Sequence, residues 1–126
     1  MKLYRAQMTD RKQSRILLQK ALFQYTGIAN WEIGTEPLGK PYVIPKISHT
    51  QDSHFSLSHR GSFWVIALDT PPLGLDLQHH KGPCTPALAN RYFHPEEIYF
   101  WQKNGMESCI FYDIWCAKES YVKFTG

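Results

Sequence analysis

Trp115-Cys116-Ala117-Lys118-Glu119-Ser120-Tyr121-Val122-Lys123 gathers more chemistry than any other stretch of this 126-residue chain. Read as a helix, the segment sets Ile110, Phe111, Ile114, Trp115 and Val122 near one apolar stripe, with Lys118, Glu119 and Lys123 at its border. Glu119 and Lys123 are four residues apart and so share a face. A carboxylate beside two ammonium groups suits a metal ion and a polyphosphate together. The same spacing also describes an ordinary amphipathic helix with an i,i+4 ion pair. Asp76 is the second chemical residue. It is either a solvent-facing acid or a second hard oxygen donor to pair with Glu119. Such a pair suits Mg²⁺, which is held by one or two carboxylates, water and substrate phosphate. Ser58-His59-Arg60-Gly61 combines a hydroxyl, an imidazole, a guanidinium and turn backbone, the parts of a phosphate cradle, although hairpin turns are polar in any case. Gly39-Lys40-Pro41 lacks the glycine spacing and following Ser/Thr of a P-loop. It displays a lysine on a rigid turn.

These residues need elements to hold them. Thr9 to Tyr25 reads as a helix capped by Thr9 or Asp10 and closed by Gly27. Ile28 to Pro45 is broken by Gly34, Pro37, Gly39, Pro41 and Pro45 and reads as turns. Three strands are expected next. His54-Phe55-Ser56-Leu57-Ser58 alternates, and Phe63-Trp64-Val65-Ile66-Ala67-Leu68 is apolar enough for a central strand. Leu73-Gly74-Leu75-Asp76-Leu77 turns its leucines one way and Asp76 the other. Helices are expected at Pro86 to Tyr92, from Pro95 to a stop at Gly105, and at Glu107 to Phe124. The fold class is α+β, in one domain over residues 1–126.

Composition narrows the function. The apolar and aromatic content, 43% and 14%, belongs to a folded chain. No apolar run approaches the ~20 residues of a membrane helix, and the N-terminus lacks a signal-peptide core. A soluble cytoplasmic protein with no membrane partner is expected. Cys84, Cys109 and Cys116 are odd in number and form no C-x-x-C pair, so buried free thiols are expected. Lys2, Arg5, Arg11, Lys12, Arg15 and Lys20 crowd the first twenty residues against Asp10 alone. That basic face suits a phosphorylated ligand or an acidic protein, or is simply a solvated helix face. No stacking motif points to nucleic acid. His79 and His80 read as loop histidines, since a zinc site needs more ligands. Trp31, Trp64 and Trp101 read as packing residues.

Taken in order, Gly39-Lys40-Pro41, Phe55-Ser56-Leu57-Ser58-His59, Gly74-Leu75-Asp76-Leu77, Arg91-Tyr92-Phe93-His94-Pro95-Glu96-Glu97 and Trp115 to Lys123 resemble the 4′-phosphopantetheinyl transferases. The likeness is to the surfactin-synthetase-activating type. It implies transfer of the phosphopantetheine arm of coenzyme A to a serine of an apo-acyl or peptidyl carrier protein, with release of adenosine 3′,5′-bisphosphate. It implies that Asp76 and Glu119 ligate Mg²⁺, with Gln78 and Glu97 at neighbouring positions of the metal site. It implies that Lys40, Ser58, His59, Lys118 and Lys123 contact coenzyme A. Glu119 then helps deprotonate the incoming serine, and Lys123 and His59 serve the reacting phosphates. The implied fold is a small antiparallel sheet packed by helices, the first half of a two-half architecture.

The chain departs from that pattern. The family often has an acid where Gln78 stands, so weaker metal affinity is expected. The family's longer start, with basic residues near the adenosine end, has only Arg5, Arg11 and Arg15 as substitutes. The chain stops at Gly126, where the family's second half begins. Either a truncated, non-catalytic fragment that binds coenzyme A or a carrier protein, or a cleft completed by self-association, is consistent with that.

Overall fold

A computed structural model describes residues 1–46 and 53–126. Over these residues the architecture is α+β: a three-stranded antiparallel sheet, a two-stranded hairpin and four helices. The strands are β1 (Lys2–Gln7), β2 (Ile33–Thr35), β3 (Pro41–Val43), β4 (His54–Arg60) and β5 (Phe63–Asp69). The helices are α1 (Gln13–Thr26), α2 (Pro86–Tyr92), α3 (Pro95–Lys103) and α4 (Ser108–Thr125).

β5 is central, in the order β1-β5-β4, as its apolar run requires. β4 and β5 form a tight hairpin that pairs His59 with Trp64 and Arg60 with Phe63. The turn is therefore only Gly61-Ser62, and His59 and Arg60 belong to the strand. β1 is an element that the polar reading of the N-terminus missed. It pairs Tyr4 with Ile66 and Ala6 with Trp64, and its inward residues Tyr4 and Ala6 alternate with exposed Leu3, Arg5 and Gln7. α1 begins four residues later than Thr9. Asp10 does not cap it: its carboxylate accepts the Lys12 N–H at 3.0 Å in the turn before the helix.

The segment expected to be only turns contains the β2–β3 hairpin, with Ile33 facing Val43. Its loop closes by backbone hydrogen bonds between Glu36 and Lys40 and between Gly39 and Glu36, each 2.8 Å. Gly39, at φ 91°, occupies the left-handed region that a side chain disfavours. This is the turn that displays Lys40.

Two cores support the molecule. One lies between the sheet and α1 and buries Leu18, Leu22, Trp31, Phe55, Trp64, Ile66 and Leu68. The other joins α2, α3 and α4 around Ala89, Phe93, Trp101 and Phe111. Trp31, Trp64 and Trp101 are buried packing residues, as expected. α4 is less regularly amphipathic than its sequence implies: Phe111 is buried, but Tyr121, Val122 and Phe124 near its end are exposed. The three cysteines are free, yet only Cys84 and Cys116 are partly covered, and Cys109 is exposed. No helix among the described residues is long and apolar enough to cross a membrane.

Candidate functional site

The site is assembled on β4. Alternation sends Ser56, Ser58 and Arg60 to one side of that strand. Each engages the chain that follows β5. The Leu75 N–H donates to Ser56 Oγ at 3.0 Å, and the Leu77 N–H donates to Ser58 Oγ at 3.1 Å. Arg60 Nη2 donates to Gln78 Oε1. The segment Leu73–Leu77, expected as a strand, therefore joins no backbone ladder among the described residues. Serine hydroxyls on every second residue of β4 receive the N–H groups that strand carbonyls would otherwise take.

α4 presses on the same segment from the other direction. The Cys116 thiol donates to the Asp76 carbonyl oxygen at 3.3 Å. Lys123 Nζ donates to Asp76 Oδ1 at 2.6 Å and to Ser58 Oγ at 3.1 Å. Cys116, Ser120, Lys123 and Phe124 follow helical spacing, so one face of α4 meets residues 74–76. Gly74 makes this possible. A Cβ there would lie 1.9 Å from the Ser120 carbonyl oxygen and 2.6 Å from the Phe124 nitrogen. Glu119, half-buried one turn before Lys123, borders this face. It forms no hydrogen bond or ion pair among the described residues. The i,i+4 pair expected between Glu119 and Lys123 is not made, because Asp76 offers Lys123 a better-desolvated partner.

Asp76 is the electrostatic centre. Its side chain is only 5% exposed. Ser58 Oγ donates to its Oδ1 at 3.0 Å, and Gln78 Nε2 donates to its Oδ2 at 2.7 Å. Burial pushes this carboxyl up, but the hydrogen bond and charge of Lys123, with Gln78 and Ser58, outweigh it and hold it below the ordinary carboxylate range. Burial and the Asp76 charge push the Cys116 thiol up, so it stays protonated and donates. A depressed folded-state value makes acid destabilising. The Asp76 contribution is complete above the unfolded-chain value of about 3.9 and is lost as pH falls through the folded-state value. Between about pH 5 and about pH 2, the urea midpoint of the native protein is expected to fall more steeply than that of Asp76→Asn.

The remaining candidates divide into two groups. Lys40, Ser58, His59 and Lys123 line one cavity of about 390 Å³, together with Gly39, Phe55 and Gly126. Lys40 Nζ also donates to the Phe124 carbonyl oxygen at 3.2 Å, a cation at the negative end of α4. Glu97 and Lys118 instead pair with each other at 2.8 Å. Glu97 Oε2 also accepts the His94 N–H at 2.7 Å, closing a capping box at the start of α3. Burial pushes the Glu97 carboxyl up, and Lys118 and the His94 N–H together bring it below its ordinary value. Glu97→Ala is expected to lower unfolding free energy by about 1 kcal/mol in urea titrations, the usual worth of a cap. His79 and His80 are exposed and lean on Phe63 and Tyr112.

A carboxylate pinned beneath a lysine, beside a cavity edged by a second lysine, a serine and a histidine, is what four of the five sequence motifs build together. Residues 72–126 match the family model of the 4′-phosphopantetheinyl transferase superfamily. The chain is a relative of the 4′-phosphopantetheinyl transferases. A 4′-phosphopantetheinyl transferase of Bacillus subtilis is 37% identical over 100 residues, covering 78% of this chain and 42% of the relative. The 4′-phosphopantetheinyl transferase Sfp of Bacillus subtilis strain 168 is 33% identical over 94 residues, 73% of this chain and 40% of that protein. The 4′-phosphopantetheinyl transferase gsp of Aneurinibacillus migulanus is 30% identical over 115 residues, 88% of this chain and 46% of that protein. The chain spans less than half the length of these relatives.

Within this transferase frame, sequence reasoning overlooked Ser56, Gly74 and Cys116. The first had a legible signal, the period-two run Ser56-Leu57-Ser58-His59-Arg60. The other two act through helix-to-segment contacts that no local pattern reports. Among the described residues, no group of three or more His, Cys, Asp or Glu side chains gathers around one point. A fixed carboxylate at Asp76 and one at Glu119 with no partner among the described residues still fit a cation that keeps its water and substrate-phosphate ligands.

Proposed function

We propose that the chain carries the reacting centre of a Mg²⁺-dependent 4′-phosphopantetheinyl transferase. It moves the arm of coenzyme A to a serine of an apo-acyl or peptidyl carrier protein and releases adenosine 3′,5′-bisphosphate. The observation that carries this reading is the convergence of Lys123, Ser58 and Asp76 beside the Lys40–His59 cavity. Asp76 and Glu119 would hold Mg²⁺, which when bound supplies charge neutralisation at the diphosphate.

The protein's own contribution is positioning and electrostatics. Lys40 and His59 grip the coenzyme A phosphates, and Ser58, whose proton goes to Asp76, holds Lys123 beside them. The carrier serine oxygen forms a bond to the phosphorus that bears the pantetheine. The bridging P–O bond breaks, and its electron pair leaves with the adenosine bisphosphate. Glu119, which has no partner among the described residues, takes the serine proton directly or through water. Lys123 offsets charge growing on the phosphate oxygens. The carrier is acidic and meets a basic surface. Exposed Tyr121, Val122 and Phe124 offer an apolar contact to a second copy. The three free cysteines suit the reducing cytoplasm.

The test is incubation with coenzyme A, Mg²⁺ and an apo-carrier protein, followed by intact-mass measurement of the carrier. A mass gain equal to the arm, abolished by chelation, is expected. Coenzyme A binding without any mass gain identifies a non-catalytic fragment instead. Absence of both removes the reading.

A further inference from the structure

The Gln78 amide is suspended between two groups of opposite hydrogen-bonding character. A guanidinium can only donate, and an ionised carboxylate can only accept. Arg60 donates to Gln78 Oε1, and Gln78 Nε2 donates to Asp76 Oδ2 at 2.7 Å. These neighbours set which end of the amide faces which way, because the flipped amide would present oxygen to carboxylate and N–H to guanidinium. Ser58 and Lys123 occupy Asp76 Oδ1, so Gln78 is what holds the other oxygen. Arg60 is also the third member of the alternating row Ser56, Ser58, Arg60, so the row that seats the backbone of residues 75–77 continues into the side chain that orients Gln78.

We infer that Gln78 is a positioning residue and not a metal ligand, with Arg60 turning its amide so that the N–H₂ group steers Asp76. This deepens the transferase reading and rests on it for the role of Asp76. The amide oxygen faces the Arg60 guanidinium, whose positive charge repels a cation from the oxygen's second lone pair, so the carboxylates of Asp76 and Glu119 are left for a divalent cation. A site with so few charges binds the free cation weakly and takes it in company with a diphosphate, whose oxygens complete the shell. The cation and the diphosphate therefore enter as partners.

Two measurements test this. The first needs no metal: the side-chain ¹⁵N–H₂ resonances of Gln78 in the uniformly labelled protein. The expected result is a slowly exchanging, hydrogen-bonded pair that shifts and broadens in Arg60→Met. Identical resonances in the two proteins would overturn the inference. The second is binding of Mn²⁺, by electron paramagnetic resonance, without coenzyme A and with it. Arg60→Met and Gln78→Leu are each expected to alter free Mn²⁺ affinity less than about threefold, while Gln78→Glu tightens it about tenfold by adding a charged ligand. Coenzyme A is expected to tighten Mn²⁺ binding more in the native protein than in Gln78→Glu. A tenfold loss in Gln78→Leu, with Arg60→Met unchanged, would make the amide oxygen a ligand and end the proposal. Failure of every variant to bind Mn²⁺, with the resonances as expected, would remove the metal from Asp76 and leave the Arg60–Gln78–Asp76 positioning intact.

Discussion

On the proposed transferase reading, phosphopantetheine transfer by Asp76→Ala is expected to fall about 100- to 1,000-fold, the usual loss when one pre-set electrostatic group is removed from a phosphoryl-transfer centre. Three donors converge on this carboxylate: Lys123, Ser58 and Gln78. Alanine strands all of them. The Asp76 side chain is almost fully covered and Lys123 is about one-third exposed, so water re-solvates the ammonium only partly. A stability loss of about 1–3 kcal/mol is expected in urea titration, the cost of leaving partly buried polar groups without partners. Asp76→Asn separates the two effects. It keeps the shape and an acceptor oxygen, so it retains more stability than alanine, yet it lacks the charge and transfers no faster. Full activity in either variant would remove Asp76 from the reacting centre.

Gly74→Ala is the second large effect. Its new methyl would meet main-chain atoms of α4, the Ser120 oxygen and the Phe124 nitrogen, and not the flexible end of a side chain. A helix backbone cannot yield locally, so the 73–78 segment must lift. Overpacking of this kind costs about 1–3 kcal/mol. Lifting the segment also draws Asp76 away from Lys123, and a displacement of ~1 Å at a reacting centre costs about 100-fold in rate. The measurement is a urea titration alongside the intact-mass assay. Native stability and native transfer together would show that the helix and the segment are not in close register. Native stability with lost transfer would place the effect wholly in the geometry of Asp76.

Local pattern and long-range contact account for what the chain disclosed before folding. The β4–β5 hairpin, α2 and the three packing tryptophans follow from alternation, a Pro-led helix start and size, all properties of short windows. The ends of α3 and α4 were similarly readable. β1 was hidden because Lys2, Arg5 and Gln7 mask the inward row of Tyr4 and Ala6, and only pairing with β5 declares it a strand. The β2–β3 hairpin was hidden among turn formers. Residues 73–77 have strand spacing without strand pairing, since hydroxyls of β4 replace the backbone partners. At the site, residue types located Asp76, Ser58 and Lys123. They did not tell that Lys123 crosses to Asp76 and not to Glu119, because intrahelical spacing competes with a tertiary partner that spacing alone cannot see. Glu97 and Lys118 were drawn into the site by motif, while their geometry binds them to the start of α3.

The row of Ser56, Ser58 and Arg60 also restricts how this protein tolerates change in length. Its two serines match every second residue of the opposing segment, Leu75 and Leu77, so sliding either strip by a single position would put Phe55, Leu57 and His59 where the hydroxyls and the guanidinium now stand. Leu75 and Leu77 would then lose their acceptors together, and Asp76 its orientation. Residues added between Asp69 and Leu73 leave that match untouched. An insertion-scanning library read out by carrier modification is therefore expected to be permissive in the loop after β5 and to stop abruptly at Leu73.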